Sequence, residues 1–515
     1  VLRGPASAVY GSDAIGGVIN FIPRIGGARP IIAYAEVAAG NLDTYRGLAG
    51  ARGTMGAFSY GLTAEYFETG GFNNVADRIS DNLGERDGSN FVTVTGNGEL
   101  AVTEGLTIRG LARYREAESD FDDAALDRIG RGGKDRYFLW RIAPRLTAMN
   151  GQYQGDLEFG QADNKRSEWD RPDVNNEFGG PDSEATGLRT FAAWRNRIEL
   201  TPSETVSGSL SAGIEWQKEK ITTAGGYNDP LARSEALTGF YGLAQLALAE
   251  RVELSGSLRH DDPEFFDAVT TWNAGAVLDL PEMGGRAYIS YGTSFKAPSL
   301  SERFAESAYN VGNPDLKPEH GESFEVGLDA GVGIGAAGWL GLTATYFDTT
   351  IQDLIEYDYA LLANINVGRA KIDGFELGLN AQAAEIVDLQ VNYTRTNAFN
   401  DTTGERLLRR PKHGWTASLT VSPVERLALS ADYFRRGVRE DVIYAPGSDF
   451  GAGGGYLGNG TVPGYDLVNF SARYRLTEAF ELFANLRNAF DEKYEEPDSY
   501  RGAPRTWTVG ARAHF

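Results

Sequence analysis

Thr506 to Phe515 places apolar side chains at the odd positions, Trp507, Val509, Ala511, Ala513 and Phe515, and polar residues or glycine at the even ones. An earlier segment repeats this, with Val468, Phe470, Ala472, Tyr474 and Leu476 on one face and Asn469, Ser471, Arg473 and Arg475 on the other. A period of two marks a strand whose faces meet different surroundings. The pattern hardly changes from Pro30 to Phe515. It predicts 22 strands, beginning near Ile31, Tyr45, Phe58, Phe91, Leu106, Arg136, Tyr153, Leu188, Val206, Ala232, Val252, Ala268, Arg286, Glu322, Trp339, Ile365, Leu389, Pro411, Leu427, Tyr465, Phe480 and Arg505. Strands of soluble sandwiches average about five or six residues. Those here are about twice as long, the length at which a tilted strand crosses a bilayer. The expected fold is all-β, a 22-stranded antiparallel transmembrane β-barrel.

The connections are of two kinds. Short turns at Asn41-Leu42-Asp43, Thr103-Glu104-Gly105, Thr201-Pro202-Ser203-Glu204 and Leu476-Thr477-Glu478 are assigned to one rim. Longer polar loops near 73–90, 122–135, 171–187, 297–320 and 441–463 are assigned to the other. Aromatic pairs at Tyr66-Phe67, Tyr346-Phe347 and Tyr433-Phe434 fit girdles at the membrane interfaces. A barrel of this circumference encloses a lumen too wide for its own side chains to fill, so it calls for a plug.

The first residues, VLRGPASAVYGSDAIGGVINFIPR, break the alternation. Turn signals at Gly4-Pro5, Gly11-Ser12 and Gly16-Gly17 separate two β-prone pieces, Ala8-Val9-Tyr10 and Val18-Ile19-Asn20-Phe21-Ile22. The stretch resembles the segment that closes the plug domain of TonB-dependent outer-membrane receptors. Tyr291-Gly292-Thr293-Ser294-Phe295-Lys296-Ala297-Pro298, followed by Gly312-Asn313-Pro314-Asp315-Leu316-Lys317-Pro318-Glu319, is similar to that family's mid-barrel signature. Gly368 to Glu376 and Asn485 to Tyr494 are further matches, and Phe515 resembles the terminal aromatic that serves outer-membrane barrels as an assembly signal.

The resemblance implies two domains, 1–26 as the C-terminal remnant of the plug and 30–515 as the barrel, in a chain truncated within the plug. It also implies a place in the bacterial outer membrane, in contact with its lipid, and active uptake of a scarce, large small-molecule nutrient by a monomer. Energy would come from a TonB-type inner-membrane complex acting through the missing N-terminal part. Within the family the chain looks closest to the vitamin B12 (cobalamin) receptor branch, on Gly213-Ile214-Glu215-Trp216-Gln217-Lys218, the run Leu407-Leu408-Arg409-Arg410 and the compact strand spacing. The same traits occur in ferric-siderophore receptors, which stand as the alternative. Haem receptors carry a histidine between the two halves of the mid-barrel signature, and Ser299 to Gly312 contains none.

Composition narrows the other classes. No run of eighteen apolar residues occurs, so a membrane would be crossed by strands. Cysteine is absent, which excludes disulfides and thiolate sites, and the net charge of −22 argues against nucleic acid. A passive porin-like or adhesion barrel would lack the plug-closing stretch. The histidines, at 260, 320, 413 and 514, form no Ser/His/Asp constellation, so an enzyme is not expected.

Acidic residues are the remaining chemistry. Asp81 and Asp87 fall in one outer loop, and Asp120, Asp122, Asp123, Asp127 and Asp135 lie in or beside the next. Calcium takes several oxygens from flexible, negatively charged loops. Cobalamin receptors order their substrate loops through calcium on this part of the barrel. The resemblance therefore implies Asp87, Asp120, Asp122, Asp123 and Asp135 as calcium candidates, with Arg86 and Arg128 intruding among them and no other cofactor required. Tyr227, Tyr444, Phe450 and Tyr456 are the loop aromatics expected to contact a bulky ligand.

Overall fold

A chain that alternates over nearly all its length needs a partner for every strand edge and a medium for each face. The structure, a computed structural model, describes residues 2–3, 7–78, 84–122, 127–174, 177–203, 205–227, 229–249, 251–307, 310–358, 361–444 and 456–515. It meets both needs with a closed ring of 22 antiparallel strands. The first, Ile32–Gly40, pairs with the last, Thr506–His514, from Thr508 opposite Gly40 to His514 opposite Tyr34, so the ring has no free edge. Val37, Trp507 and Val509 are exposed on the outer face, where hydrocarbon would cover them. On the inner face Glu36 binds both Arg46 and Arg512, and Arg512 reaches Glu481 at 3.1 Å.

Ring strands run from 8 residues, Phe480–Arg487, to 24, Gly180–Ser203. The longest project well past the hydrocarbon, which needs only about 9–11 residues. That projection is where the expected boundaries drift. The strand expected near Leu188 starts at Gly180, because Ser183 to Thr186 already pair with Glu168 to Lys165. Beyond the membrane neither face must be apolar, so ladder hydrogen bonds extend a strand that hydrophobic alternation cannot mark.

Successive strands reverse direction, so connections alternate between rims. Connection 41–43 therefore shares its rim with loops 73–86 and 488–505. Gly70 N–H donates to the Leu42 carbonyl at 2.8 Å, Arg86 pairs with Asp43 at 2.9 Å, and Trp507 N–H donates to Asn41 Oδ1 at 2.8 Å. The expectation that grouped Asn41-Leu42-Asp43 with the short-turn rim is corrected: place in the alternation, not length, decides the rim. The turns near Thr103, Ser203 and Thr477 do lie at the opposite rim.

Inside the ring, Ser7–Tyr10 forms a helical turn where a β-prone piece was expected, and Gly11 closes it at φ +81°, its N–H donating to the Ser7 carbonyl at 2.9 Å. Of the second expected piece only Val18 is strand, in the two-residue strand Gly17–Val18 paired with Leu2–Arg3. The turn is fixed to the wall at strand Gly285–Lys296 and the loop after it. Ser7 Oγ accepts from Phe295 N–H at 3.3 Å, Asp13 N–H donates to the Phe295 carbonyl at 3.1 Å, and Ser12 Oγ accepts from Ala297 N–H at 3.0 Å. Phe295 itself is fully buried. The chain then runs along the wall, where Arg52 donates to the Gly26 carbonyl at 2.9 Å and Tyr60 to the Pro30 carbonyl at 3.1 Å, before entering the ring at Ile32.

Candidate functional site

At the long-loop rim, four connections dock on one another. Strand Phe58–Phe72 ends in a bulge at Gly71 (φ +64°), where a Cβ would stand 1.7 Å from the Asp87 carbonyl oxygen. Beyond the bulge, 73–78 docks on Tyr444 and on connection 488–505. Val75 and Ala76 are buried against Tyr444, Val75 bridges to Tyr500, and Ala76 N–H donates to the Ser499 carbonyl at 2.8 Å. Arg78 grips Glu495 through two 2.9 Å bonds and reaches Asp498 at 2.8 Å, while Asp77 receives Lys493 at 2.7 Å and Arg501 at 3.2 Å. Asp441, fully buried on the hairpin Arg439–Tyr444 and Tyr456–Val462, accepts from Arg409 and from its neighbour's N–H, both at 2.8 Å.

Beneath this clasp, carboxylates converge. Oxygen atoms of Glu85, Asp87 and Asp122 all lie within 4.8 Å of one another. Asp87 accepts from Asn74 N–H at 2.8 Å, Asp122 from Arg128 N–H at 2.7 Å, and Asn73 Nδ2 donates to the fully buried Asp127 at 2.6 Å. Each of the three converging carboxylates keeps one buried oxygen, Glu85 Oε1, Asp87 Oδ1 and Asp122 Oδ2, with no hydrogen-bond donor. Burial first, then the charges of Asp122, Asp127 and Asp120, raise Glu85 to about 7. Burial also raises Asp122 to about 7, with Asp87 and Asp127 adding to it against the bond from Arg128 N–H. Acids so placed are about half protonated at neutral pH, and a bound cation would displace those protons. Bare, converging oxygens on buried carboxylates are what a hard, oxygen-seeking cation such as calcium requires, and the donor set fits it.

The expected site residues divide. Asp87 and Asp122 meet in this cluster. Asp120 lies at its margin, accepting from Gly88 N–H. Asp135 sits within strand Arg131–Ala148, opposite Ala117 and Arg166, and is not one of the three that meet. Asp123 and Phe450 lie outside the described residues, as does Asp81. Glu85 was missed, although it stands two residues before Asp87 at the end of the same acidic loop; no alternation marks that position. The intruding arginines are engaged elsewhere: Arg86 with Asp43 and the Gly71 carbonyl, Arg128 with Asp170 and Asp173. Among the aromatics, Tyr227 is exposed in its connection. Tyr444 is tied into the clasp, its N–H donating to Asp498 and its carbonyl accepting from Arg78, both at 2.9 Å. Tyr456 begins the second hairpin strand opposite Tyr444.

Below the loops the inner wall carries a ladder of alternating charge. Arg141 reaches Glu158 at 4.0 Å, Glu158 binds Arg195 at 3.1 Å, and Arg195 binds Glu215 at 2.8 Å. Glu215 then binds Arg259 at 2.9 Å, which binds Asp261 at 2.9 Å. A cavity of about 600 Å³ lies between this ladder, at Arg195 and Glu215, and the segment Tyr10–Ile19.

The family described as "TonB dependent receptor-like, beta-barrel" matches residues 34–489. A relative, "Vitamin B12 transporter BtuB" of Photobacterium profundum, is 25% identical over 532 residues, covering 100% of this chain and 79% of its own. The siderophore receptor PirA from Acinetobacter baumannii has a similar crystal structure, with a TM-score of 0.84 at 15% identity over 100% of this chain and 84% of that one. A mutant of the ferric enterobactin receptor PfeA from Pseudomonas aeruginosa gives 0.83 at 18% identity, over 100% of this chain and 84% of that one.

Proposed function

The chain belongs to the TonB-dependent receptors of the bacterial outer membrane, and on that premise we propose that it imports cobalamin or a related corrinoid, with calcium at Glu85, Asp87 and Asp122 ordering the outer loops. The family comprises receptors and transporters rather than enzymes, working with TonB and a ligand. The observation that carries the substrate reading is the carboxylate cluster under the clasp, with three buried oxygens lacking a donor. The likeness to a vitamin B12 transporter supports it. Calcium would supply fixed positive charge joining loops 73–86 and 121–130. The chain's own part is to hold its donors there, through the Gly71 bulge and the bond from Arg128 N–H.

We read residues 1–26 as the closing part of the plug and 30–515 as the barrel of a monomer. The seating of Ser7–Tyr10 on Phe295 inside the lumen supports that division. The test titrates cyanocobalamin into outer membranes carrying the full-length receptor, with calcium or with chelator, beside a panel of ferric siderophores. Calcium-dependent cobalamin binding is expected. Siderophore binding without cobalamin binding would overturn the substrate and leave the family untouched.

A further inference from the structure

A second feature lies on the outside of the barrel, near the long-loop rim. Strands Ala363–Ala383, Val387–Asn400, His413–Val424 and Leu427–Arg436 are neighbours in the ring. Phe375, Tyr393 and Trp415 form a row across the first three, with ring centroids 5.7 Å and 4.4 Å apart. They share the parity of the exposed Leu377 and Leu419, whereas Asn392 and Thr416 hydrogen-bond on the opposite, lumen face. The row is thus an outward aromatic girdle, which fixes the depth of the membrane interface.

Next to the girdle on the rim side, cations gather. His413 Nδ1 meets the Tyr393 hydroxyl at 2.8 Å, Arg395 stands opposite His413, and Arg435 opposite Trp415. Arg406 lies 5.0 Å over the Phe399 ring, and the charges of Lys412, Arg395 and Arg406 all bear on His413. Arg406, Lys412, His413, Trp415, Arg435 and Arg439 line a recess of about 440 Å³.

Some of this charge is already answered. Arg435 pairs with Asp466 at 2.9 Å, Arg439 donates to the carbonyls of Pro463 and Glu495, and Glu440, also on the recess, accepts from Thr461 at 3.1 Å. Arg395, Arg406 and Lys412 make no ion pair among the described residues, and Arg395 Nε and Arg406 Nη2 are buried without an acceptor. Gathering like charges costs energy unless an anion sits among them. In a protein of net charge −22, this cationic patch stands out. Guanidinium forks and an ammonium suit phosphate oxygens, and basic pockets at membrane interfaces hold lipid headgroups.

We propose that this recess binds the phosphate of an anionic outer-leaflet lipid, held by Arg406 and Lys412 on its wall, with its acyl chains descending over Trp415 and Leu419. The proposal rests on the outer-membrane location and not on the substrate reading.

The test places purified receptor in nanodiscs of zwitterionic lipid doped with a bis-phosphorylated glycolipid, its dephosphorylated form, or added inorganic phosphate. Native mass spectrometry then counts what the released protein retains. Wild type should retain the phosphorylated glycolipid alone. The double variant Arg406→Gln with Lys412→Gln should bind it about twenty-five-fold more weakly, at about fivefold per charge removed. Arg251→Gln, at the opposite rim, should bind like wild type, and Lys412→Arg should retain binding. Heat-modifiable gel mobility confirms that each variant is a closed barrel. Equal retention by wild type and the double variant, or of the dephosphorylated glycolipid, overturns the proposal; retention of free phosphate without the glycolipid overturns the lipid as its source.

Discussion

If protons occupy the carboxylate cluster when calcium does not, the two should compete. Glu85 and Asp122 both titrate near 7, raised chiefly by burial. At pH 8 each is then about nine-tenths ionised, and at pH 6 about one-tenth. Calcium affinity should fall about tenfold between those values if one proton is displaced, and about a hundredfold if two are. Stability in chelator should run the other way. A carboxylate whose folded pKa is raised destabilises the folded state once ionised, so loop stability should be greatest below about pH 4 and fall as pH rises towards about 7. Saturating calcium should abolish that fall. Isothermal titration of calcium at pH 6, 7 and 8, on wild type and Asp122→Asn, reads both effects. Affinity that is flat across this range in wild type, or unaltered by Asp122→Asn, would refute the reasoning.

Three further outcomes follow from the geometry. Gly71→Ala should displace the Asp87 backbone, since the new Cβ would stand 1.7 Å from its carbonyl oxygen; about 1–2 kcal/mol of local stability and at least tenfold in calcium affinity should be lost, read by hydrogen exchange and titration. Arg259→Met leaves Glu215 and Asp261 facing each other without their shared cation; unfolding in urea should show a loss of about 3 kcal/mol, partly restored by adding Asp261→Asn. Arg78→Ala should loosen the clasp by about 1 kcal/mol, because its contacts are half-exposed, and limited proteolysis of the outer loops should quicken while the barrel stays intact.

The ring was legible because two media read every strand. Trp507 and Val509 must face hydrocarbon and Arg512 the lumen, so a slip of one residue would cost the whole strand, and the alternation is strict. Legibility ended where that constraint ends, as at Gly180 to Thr186, beyond the bilayer. Ser7 to Tyr10 was misread for a related reason: its residues have weak local preference, and packing on Phe295 decides its form. Gly11, the left-handed residue that closes the turn, was the available signal. Asp87 and Asp122 were expected together because both lie in acidic loops that resemble the calcium-ordered loops of cobalamin receptors. That Glu85 joins them, and Asp135 does not, depends on where a bulge and two loop ends arrive in space, which charge spacing does not encode.

The seam has a consequence for how the molecule comes into being. Arg512 and Glu36, which meet there, lie 476 positions apart in the chain. Until the final strand is available, Ile32–Gly40 has one edge bare along its length, and every later strand that joins presents a new one. The sheet cannot be sealed in instalments. Its closure is one late event that converts a curled ribbon with two adhesive margins into a cylinder with none. Between synthesis and that moment the chain depends on being escorted rather than on its own stability, and slowing the arrival of the last strand should raise aggregation long before it alters anything measurable in the finished receptor.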